Sequence, residues 1–394
     1  MNISTTRNGY NVPSFQHNDD YDDSKIEFIV SNSAQVPSFG GSQIVIDYKE
    51  YGTQVLQQWI GITVSAISTM TSGMFVPAQF FYNNIQILQN GNVIETLYPE
   101  DQFLQQQLFL SDFDRTPDNV LSGLYSSTAR RTALATASNT YYFPLWNFVR
   151  QSTALVLNNK HELQFKITLN PLSQITSGTG TAVASISQIF LYSKVKKLSQ
   201  NMIQELTNSL YNNNHLFFKF NDVRNATYPL PSGSSTADIV LNAFNGDVSL
   251  IAFVVRPTSG LTGNGLFSFT ALQQYEIVDS TGKNLVGGVP ISNAQALLII
   301  GNDNCSSSYL TENSVGGATD NGANVYTYSF CNDVETTIHT GMHSGSQKFN
   351  GTERLKLTFP SALGSASQLD VYCWMNSGVE YRLDSVKKND KYIH

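Results

Sequence analysis

Charge is scarce in this chain. Lys, Arg, Asp and Glu make up 13% of its 394 residues, and the net charge is −7, where an ordinary soluble protein carries about 25% charged residues. No run of Lys and Arg supplies the basic footprint that coating a nucleic-acid backbone requires. The densest basic group, Arg382, Lys387, Lys388 and Lys391, reads as a solvated C-terminal tail. Direct sequence-specific binding of nucleic acid is therefore not expected. Cysteine is nearly absent too. Cys305, Cys331 and Cys373 are far apart and form no CxxC pair, which excludes a disulfide framework and a cysteine-ligated metal. Long apolar runs are missing as well. "LIAFVV" and "ALLII" are strand-length, well short of the ~20 residues of a membrane span. The opening "MNISTTRNGY" has no apolar core of a signal peptide, so synthesis and folding in a cytoplasm are expected.

Catalytic signatures are also lacking. Only six histidines are present and none forms an HxH pair, so a two-domain cupin metalloenzyme is excluded. Glu335, His339 and His343 have the spacing of ligands on a helix face. Gly341 and the neighbouring threonines place them instead in a loop, as ordinary histidines. His161 opens a strand and is expected to serve as a strand-end hydrogen-bond partner. There is no GxSxG elbow, Walker loop or dinucleotide fingerprint. "GLTGNG" (residues 260–265) joins two strand-like runs as a turn, and Glu100–Asp101 sits at a helix start, where acids favour the dipole. No catalytic residue, metal site or cofactor is assigned.

What the chain does have is β pattern. Short runs rich in Val, Ile, Phe and Tyr, punctuated by Gly, Asn, Ser and Thr, extend from about residue 27 to 383. In "LQFKITL", Leu163, Phe165, Ile167 and Leu169 alternate with polar residues, as in a sandwich sheet with one buried face. Two stretches break the pattern. "PEDQFLQQQLFL" starts at Pro99 with helical spacing. In "KKLSQNMIQELTNSLYNNN", Leu198, Met202, Ile203, Leu206 and Leu210 form an amphipathic stripe at mid-chain. The latter is the natural bridge between two domains. The first 26 residues, with Asp19, Asp20, Asp22 and Asp23, form a polar arm without core periodicity.

The two halves repeat. "IQILQNGNVIETL" from Ile85 and "YEIVDSTGKNLVG" from Tyr275 share an apolar run, a Gly turn and a second run, at an offset of 275 − 85 = 190. "FKITL" from Phe165 and "LKLTF" from Leu355 keep that offset. "SQIFLY" from Ser187 and "SQLDVY" from Ser367 are 180 apart, because the preceding loop of the second half is shorter. Three elements in one order indicate an internal duplication. The expected fold is all-β: two tandem eight-stranded jelly-roll β-sandwiches joined by a short helix. The boundaries are 1–26 for the arm, 27–196 for roll one, 197–214 for the linker helix, 215–386 for roll two and 387–394 for a C-terminal tail. The long polar stretches 111–138 and 301–322 follow the shared hairpin in each half and are expected to be exposed loops.

"YYFPLWNFVRQSTALVLNNKHELQFKITLNPL" (residues 141–172), "ASISQIFLYSKVKKLSQNMIQELTNSLY" (184–211), "NNIQILQNGNVIETLYPEDQFLQQQLFL" (83–110) and "LDVYCWMNSGVEYR" (369–382) together resemble, in order and spacing, double jelly-roll major capsid proteins. That family spans tectivirus-like phages, adenoviruses and nucleocytoplasmic large DNA viruses. The resemblance implies a non-enzymatic coat protein of the virion shell. It would form a homotrimer with six upright jelly rolls, a pseudo-hexameric capsomer that tiles an icosahedron. Neighbouring capsomers, penton and minor capsid proteins, and in some cases an underlying membrane, are the implied partners. The implied role of the arm is to reach beneath the shell. The competing expectation is a glycan- or receptor-binding β-sandwich of lectin or spike type, supported by loop aromatics such as Tyr125 and Tyr309. The sequons at Asn225, Asn304 and Asn350 matter only on a secretory route.

Overall fold

The computed structural model describes residues 3–5, 11–13, 26–35, 37–41, 43–109, 120–123, 128–148, 155–213, 215–259, 261–263, 266, 269–292, 295, 324–334, 337 and 344–388. A short ribbon, β1 (Ile3–Thr5) and β2 (Asn11–Pro13), precedes two β-sandwiches. The first sandwich contains β3 (Ile26–Asn32), β4 (Gln43–Tyr48), β5 (Thr53–Val64), β6 (Thr71–Phe75), β7 (Tyr82–Gln89), β8 (Asn92–Leu97), β9 (Asn139–Pro144), β10 (Leu155–Val156), β11 (Leu163–Leu169), β12 (Thr176–Thr179) and β13 (Ile186–Lys197). Its first sheet runs β3-β13-β5, with β9 and β10 sharing the far edge of β5. Its second sheet runs β4-β11-β7-β8, and β6 and β12 form a separate ribbon. Counting β9 and β10 as one interrupted strand, the eight positions pair as 1-8-3-6 and 2-7-4-5, the connectivity of a jelly roll. Helix α1 (Pro99–Phe109) and a second helix (Thr128–Ala135) fall between strand positions five and six.

Roll two repeats this. It contains β14 (Leu216–Leu230), β15 (Thr236–Val240), β16 (Asn245–Pro257), β17 (Gln274–Val278), β18 (Ile291–Ser292), β19 (Tyr326–Ser329), β20 (Gln347–Asn350), β21 (Arg354–Thr358) and β22 (Ser367–Tyr381), followed by β23 (Val386–Lys388). The first sheet is β14-β22-β16 with β19 and β20 both on β16, and the second is β15-β21-β17-β18. The sixth strand is split in both rolls. Register agrees residue by residue. Phe165 faces Ile87 and Ile167 faces Ile85, while Leu355 faces Ile277 and Leu357 faces Tyr275, each shifted by 190. Even the irregularity recurs. Lys194 and Val195 skip Leu56 on β5, and Trp374 and Met375 skip Ser249 on β16, with 374 − 194 = 180 and 249 − 56 = 193. A bulge re-aims one stretch of strand at a fixed place, so its presence at matching positions marks one architecture written twice.

The rolls differ in what covers their first sheets. In roll one, residues 191–196 of β13 alternate between buried and half-buried, as expected of a sheet with one face toward solvent. In roll two, residues 248–256 of β16 and 369–379 of β22 are buried without interruption. One face of this sheet meets its own roll's core, in which Phe253, Tyr275, Ile277 and Leu355 lie. The other, with Phe220, Leu250, Ala252, Val254, Tyr372 and Trp374, joins the core of roll one in a single apolar cluster. The linker helix (Gln200–Asn213) closes onto the same cluster through Leu206 and Leu210, with Met202 and Ile203 partly buried. Residues 387 and 388 are not the solvated tail that the sequence suggested. They belong to β23, which pairs with β22; Lys387 keeps its side chain exposed, whereas Lys388 is half-buried and pairs with Asp222 at 2.6 Å.

Candidate assembly surfaces

Two faces of the molecule stand out: one is covered inside the chain, the other is partly exposed. The covered one is the outer face of roll two's first sheet. At one end, β16 presents Arg256. Its Nε donates to Asp370 Oδ2 at 2.6 Å, its Nη2 to Glu100 Oε1 of α1 at 3.2 Å, and its Nη1 to the Leu266 carbonyl. Burial lowers the guanidinium pKa, but Tyr372 and then the Asp370 and Glu100 carboxylates raise it, and the net shift is upward. Phe103 and Leu104 of α1, with Phe80, pack beside Val254, Phe269 and Tyr372. Gly263 (φ +52) of roll two lies so near roll one that a Cβ there would stand 2.8 Å from the Thr176 carbonyl.

At the other end, the β7–β8 hairpin reaches across. Tyr381 Oη donates to Gln89 Oε1 at 2.8 Å, and the amides of Asn90 and Asn92 donate to the Asp384 and Val386 carbonyls. His161 Nε2 lies 2.7 Å from the Arg382 carbonyl, so this nitrogen carries the proton. Burial lowers the imidazole pKa and keeps the ring neutral. Between these groups Glu95 is buried, with Oε2 accepting from the Phe148 amide at 2.7 Å. Burial, and then Asp222 across the seam, push its pKa up to about 8, opposed by the Phe148 hydrogen bond and by Lys388. Asp222 itself holds Lys388 at 2.6 Å and Arg224 at 3.0 Å.

The partly exposed surface is the matching face of roll one. Ile26, Phe28 and Val30 on β3 are 59%, 55% and 50% exposed. Phe28 stacks on Tyr192 with ring centroids 5.3 Å apart, and Trp59 lies 5.9 Å from Tyr192. Phe190 covers Gly61, where any Cβ would strike the ring, and Tyr142 meets Phe190 edge-on at 5.7 Å. Ile26, Phe28 and Val30 are thus exposed beside half-buried Trp59, Tyr142 and Tyr192, an apolar patch of the kind that can serve as a contact site. The outer faces of the second sheets are different. There Asp238 pairs with Arg354 at 2.8 Å, Glu276 with Lys356 at 3.7 Å, and Gln164 donates to Asp47.

Glu335, His339, His343, Tyr125, Tyr309, Asn304, Cys305 and Lys391, the acidic group at 19–23 and the stretch 301–322 lie outside the described residues. Cys373 is buried, which pushes its thiol pKa up. His161 does not open a strand but ends a 3-10 turn (Asn159–His161) just before β11, and its hydrogen-bond partner belongs to the other roll. Glu100 and Asp101 do more than favour a helix dipole. Glu100 bridges the rolls, and Asp101 is buried, accepting from the Tyr98 and Gln102 amides with its carboxyl pKa raised by burial. Sequence reasoning missed Arg256, Asp370, Glu95 and Asp222. A lone Arg ending "VSLIAFVVR" was the available signal, since an apolar strand buried on both faces holds a charge only beside a partner.

No protein-family model matches this chain, and no curated protein matches it either. Solved structures do. A chain of the PBCV-1 virus capsid is 15% identical with a TM-score of 0.68, covering 95% of this chain and 98% of that one. A chain of the Sputnik virophage is 11% identical at 0.64, covering 94% and 89%. The Faustovirus major capsid protein is 9% identical at 0.60, covering 90% of each. Likeness at such coverage establishes the fold of this chain as the double jelly roll.

Proposed function

We propose that this protein is the major capsid protein of an icosahedral virus, a non-enzymatic subunit acting as a homotrimeric, pseudo-hexameric capsomer. One observation carries the reading: the outer face of roll two's first sheet is covered by roll one, while the same face of roll one keeps Ile26, Phe28 and Val30 exposed; on this reading roll two is the next wedge of a ring. Three chains supply six wedges, and a closed ring leaves no such face bare. That structures like it in fold are named as a virus capsid and a major capsid protein supports the same reading. Function then lies in interfaces. The trimer contact is large and apolar, in the obligate range of about 2,000 Å² or more. Contacts between capsomers are smaller and run through the polar, ion-paired outer faces. Neighbouring capsomers, penton and minor capsid proteins are the partners, with an underlying membrane where the virus has one. The protein is made in the host cytoplasm and resides in the virion shell. The arm (residues 1–26) contacts neighbours beneath the shell, and protection of that arm from protease in shells relative to free trimers is the expected result.

Size-exclusion chromatography with light scattering tests the central claim. Three chains of 43.5 kDa give 3 × 43.5 = 130.5 kDa, with a hexagonal outline in negative-stain images. A species of one chain mass at micromolar concentration overturns it.

A further inference from the structure

We propose that Lys388 and Asp222 are the precursors of a covalent crosslink, an isopeptide bond that the folded chain forms by itself with buried Glu95 as the proton carrier. Three strands bring these groups together. Asp222 lies on β14, Lys388 on β23 and Glu95 on β8 of roll one. Lys388 Nζ is 2.6 Å from Asp222 Oδ2, and the two side chains are 25% and 6% exposed. Nζ thereby reaches Cγ, one bond beyond the oxygen, at about 3–3.5 Å, a near-attack separation. Glu95 is set beside them by the hairpin. The Asn90 and Asn92 amides meet the Asp384 and Val386 carbonyls in step, and the same spacing carried on brings residues 94–95 to Lys388. The surroundings are apolar. Lys388 Nζ stands 5.8 Å from the centroid of the Phe220 ring, and Phe148 packs on Phe220 at 5.7 Å. A condensation that releases water is favoured where water is excluded.

An ordinary buried ion pair needs two opposite charges. Here a third carboxyl is buried against them, its Oε2 accepting from the Phe148 amide at 2.7 Å. The titratable groups around Glu95 are Asp222, Lys388 and, on α1, Asp101. Burial, and then Asp222, push its pKa up to about 8, so its acid form is present at neutral pH. A neutral carboxyl between a nucleophile and its target can give a proton to one and take a proton from the other. Glu95 gives its proton to Asp222 Oδ1 and takes one from the Lys388 ammonium. The freed Nζ lone pair forms a bond to Cγ. The negative charge that develops on Oδ2 is held by Arg224, whose Nε donates to that oxygen at 3.0 Å. Glu95 then passes a second proton to Oδ1, the Cγ–Oδ1 bond breaks, and water leaves. The nitrogen returns a proton to Glu95. An ammonium and a carboxylate have become an amide and one water, with Glu95 unchanged and no co-reactant needed. The bond joins the first strand of roll two to the strand that ends it, 166 residues apart, and closing a loop of that length restricts the unfolded chain.

Intact mass spectrometry of the full chain, purified folded and then denatured, tests this. The wild-type protein is expected to be lighter than its sequence by one water. Proteolysis should yield a branched peptide joining the segments that contain Asp222 and Lys388. Lys388→Arg and Asp222→Ala should keep the full masses of their sequences, whereas Lys387→Ala, at the exposed neighbour, should still lose water. Glu95→Gln, shown to be folded by circular dichroism, should stay at its sequence mass. A wild-type chain at full sequence mass, or a water lost at another pair of residues, overturns the crosslink. A Glu95→Gln protein that crosslinks as completely as wild type overturns the part assigned to Glu95. If a variant fails to fold, the wild-type mass and the branched peptide decide. None of these readouts depends on the number of chains in the assembly, so the trimer reading stands or falls separately.

Discussion

Arg256 sits between two carboxylates contributed by different elements, and among the described residues it is the cation paired with both, while Thr227 and Gln368 also donate to Asp370. Removing it leaves Asp370 buried without its counter-charge, which costs about 3–5 kcal/mol. Arg256→Ala is therefore expected to lower the urea midpoint strongly. Glu95 acts in the opposite sense. Its pKa rises from 4.5 unfolded to about 8 folded, so the native state binds the extra proton between those values. The stability that this proton contributes is complete below pH 4.5 and is lost as pH rises to about 8. Glu95→Gln should flatten that slope, visible as a melting temperature that changes less between pH 5 and pH 9. At the hairpin tip, Asn90 and Gly91 both have positive φ (50° and 74°), as a two-residue I′ turn requires. A Cβ at Gly91 meets no atom within 4 Å, so only backbone strain opposes it. Gly91→Ala is expected to cost about 1–2 kcal/mol in denaturant titrations.

Among elements, the linker helix shows how one stripe serves two rolls. Leu206 and Leu210 are 1% and 2% exposed, whereas Tyr211 is 63% exposed. Leu206→Ala should cost about 2–5 kcal/mol in chemical unfolding, and Tyr211→Ala no more than about 0.5 kcal/mol within the chain. This contrast was readable beforehand, because helical spacing sorts residues into faces without knowledge of what lies opposite. The hairpins were readable for the same reason, their turns being written in adjacent residues. The tail at Lys387 and Lys388 was not. A short basic segment reads as solvated until Asp222, 166 residues from Lys388 in the chain, is brought beside it.

For the whole molecule, the apolar cluster that runs from roll one into the outer face of roll two couples the halves. Heating dilute protein should give a single calorimetric transition, with calorimetric and van't Hoff enthalpies equal. Two separated transitions would mean that the rolls are thermally independent. Roll two expressed alone would present Phe220, Tyr372 and Trp374 to water, a patch expected to drive aggregation.

Local order was determined by the sequence: strands, turns, the linker helix and the offsets of 190 and 180 that announce a duplicated roll. Each of these depends on residues a few positions apart or on direct self-comparison. Tertiary structure alone decided which faces are covered. The continuous burial of β16 and β22, the bridge from Glu100 to Arg256, and the partly exposed apolar face around Phe28 and Tyr192 all depend on where one roll is set against the other. That placement is fixed by packing between residues more than a hundred positions apart, and no local periodicity encodes it.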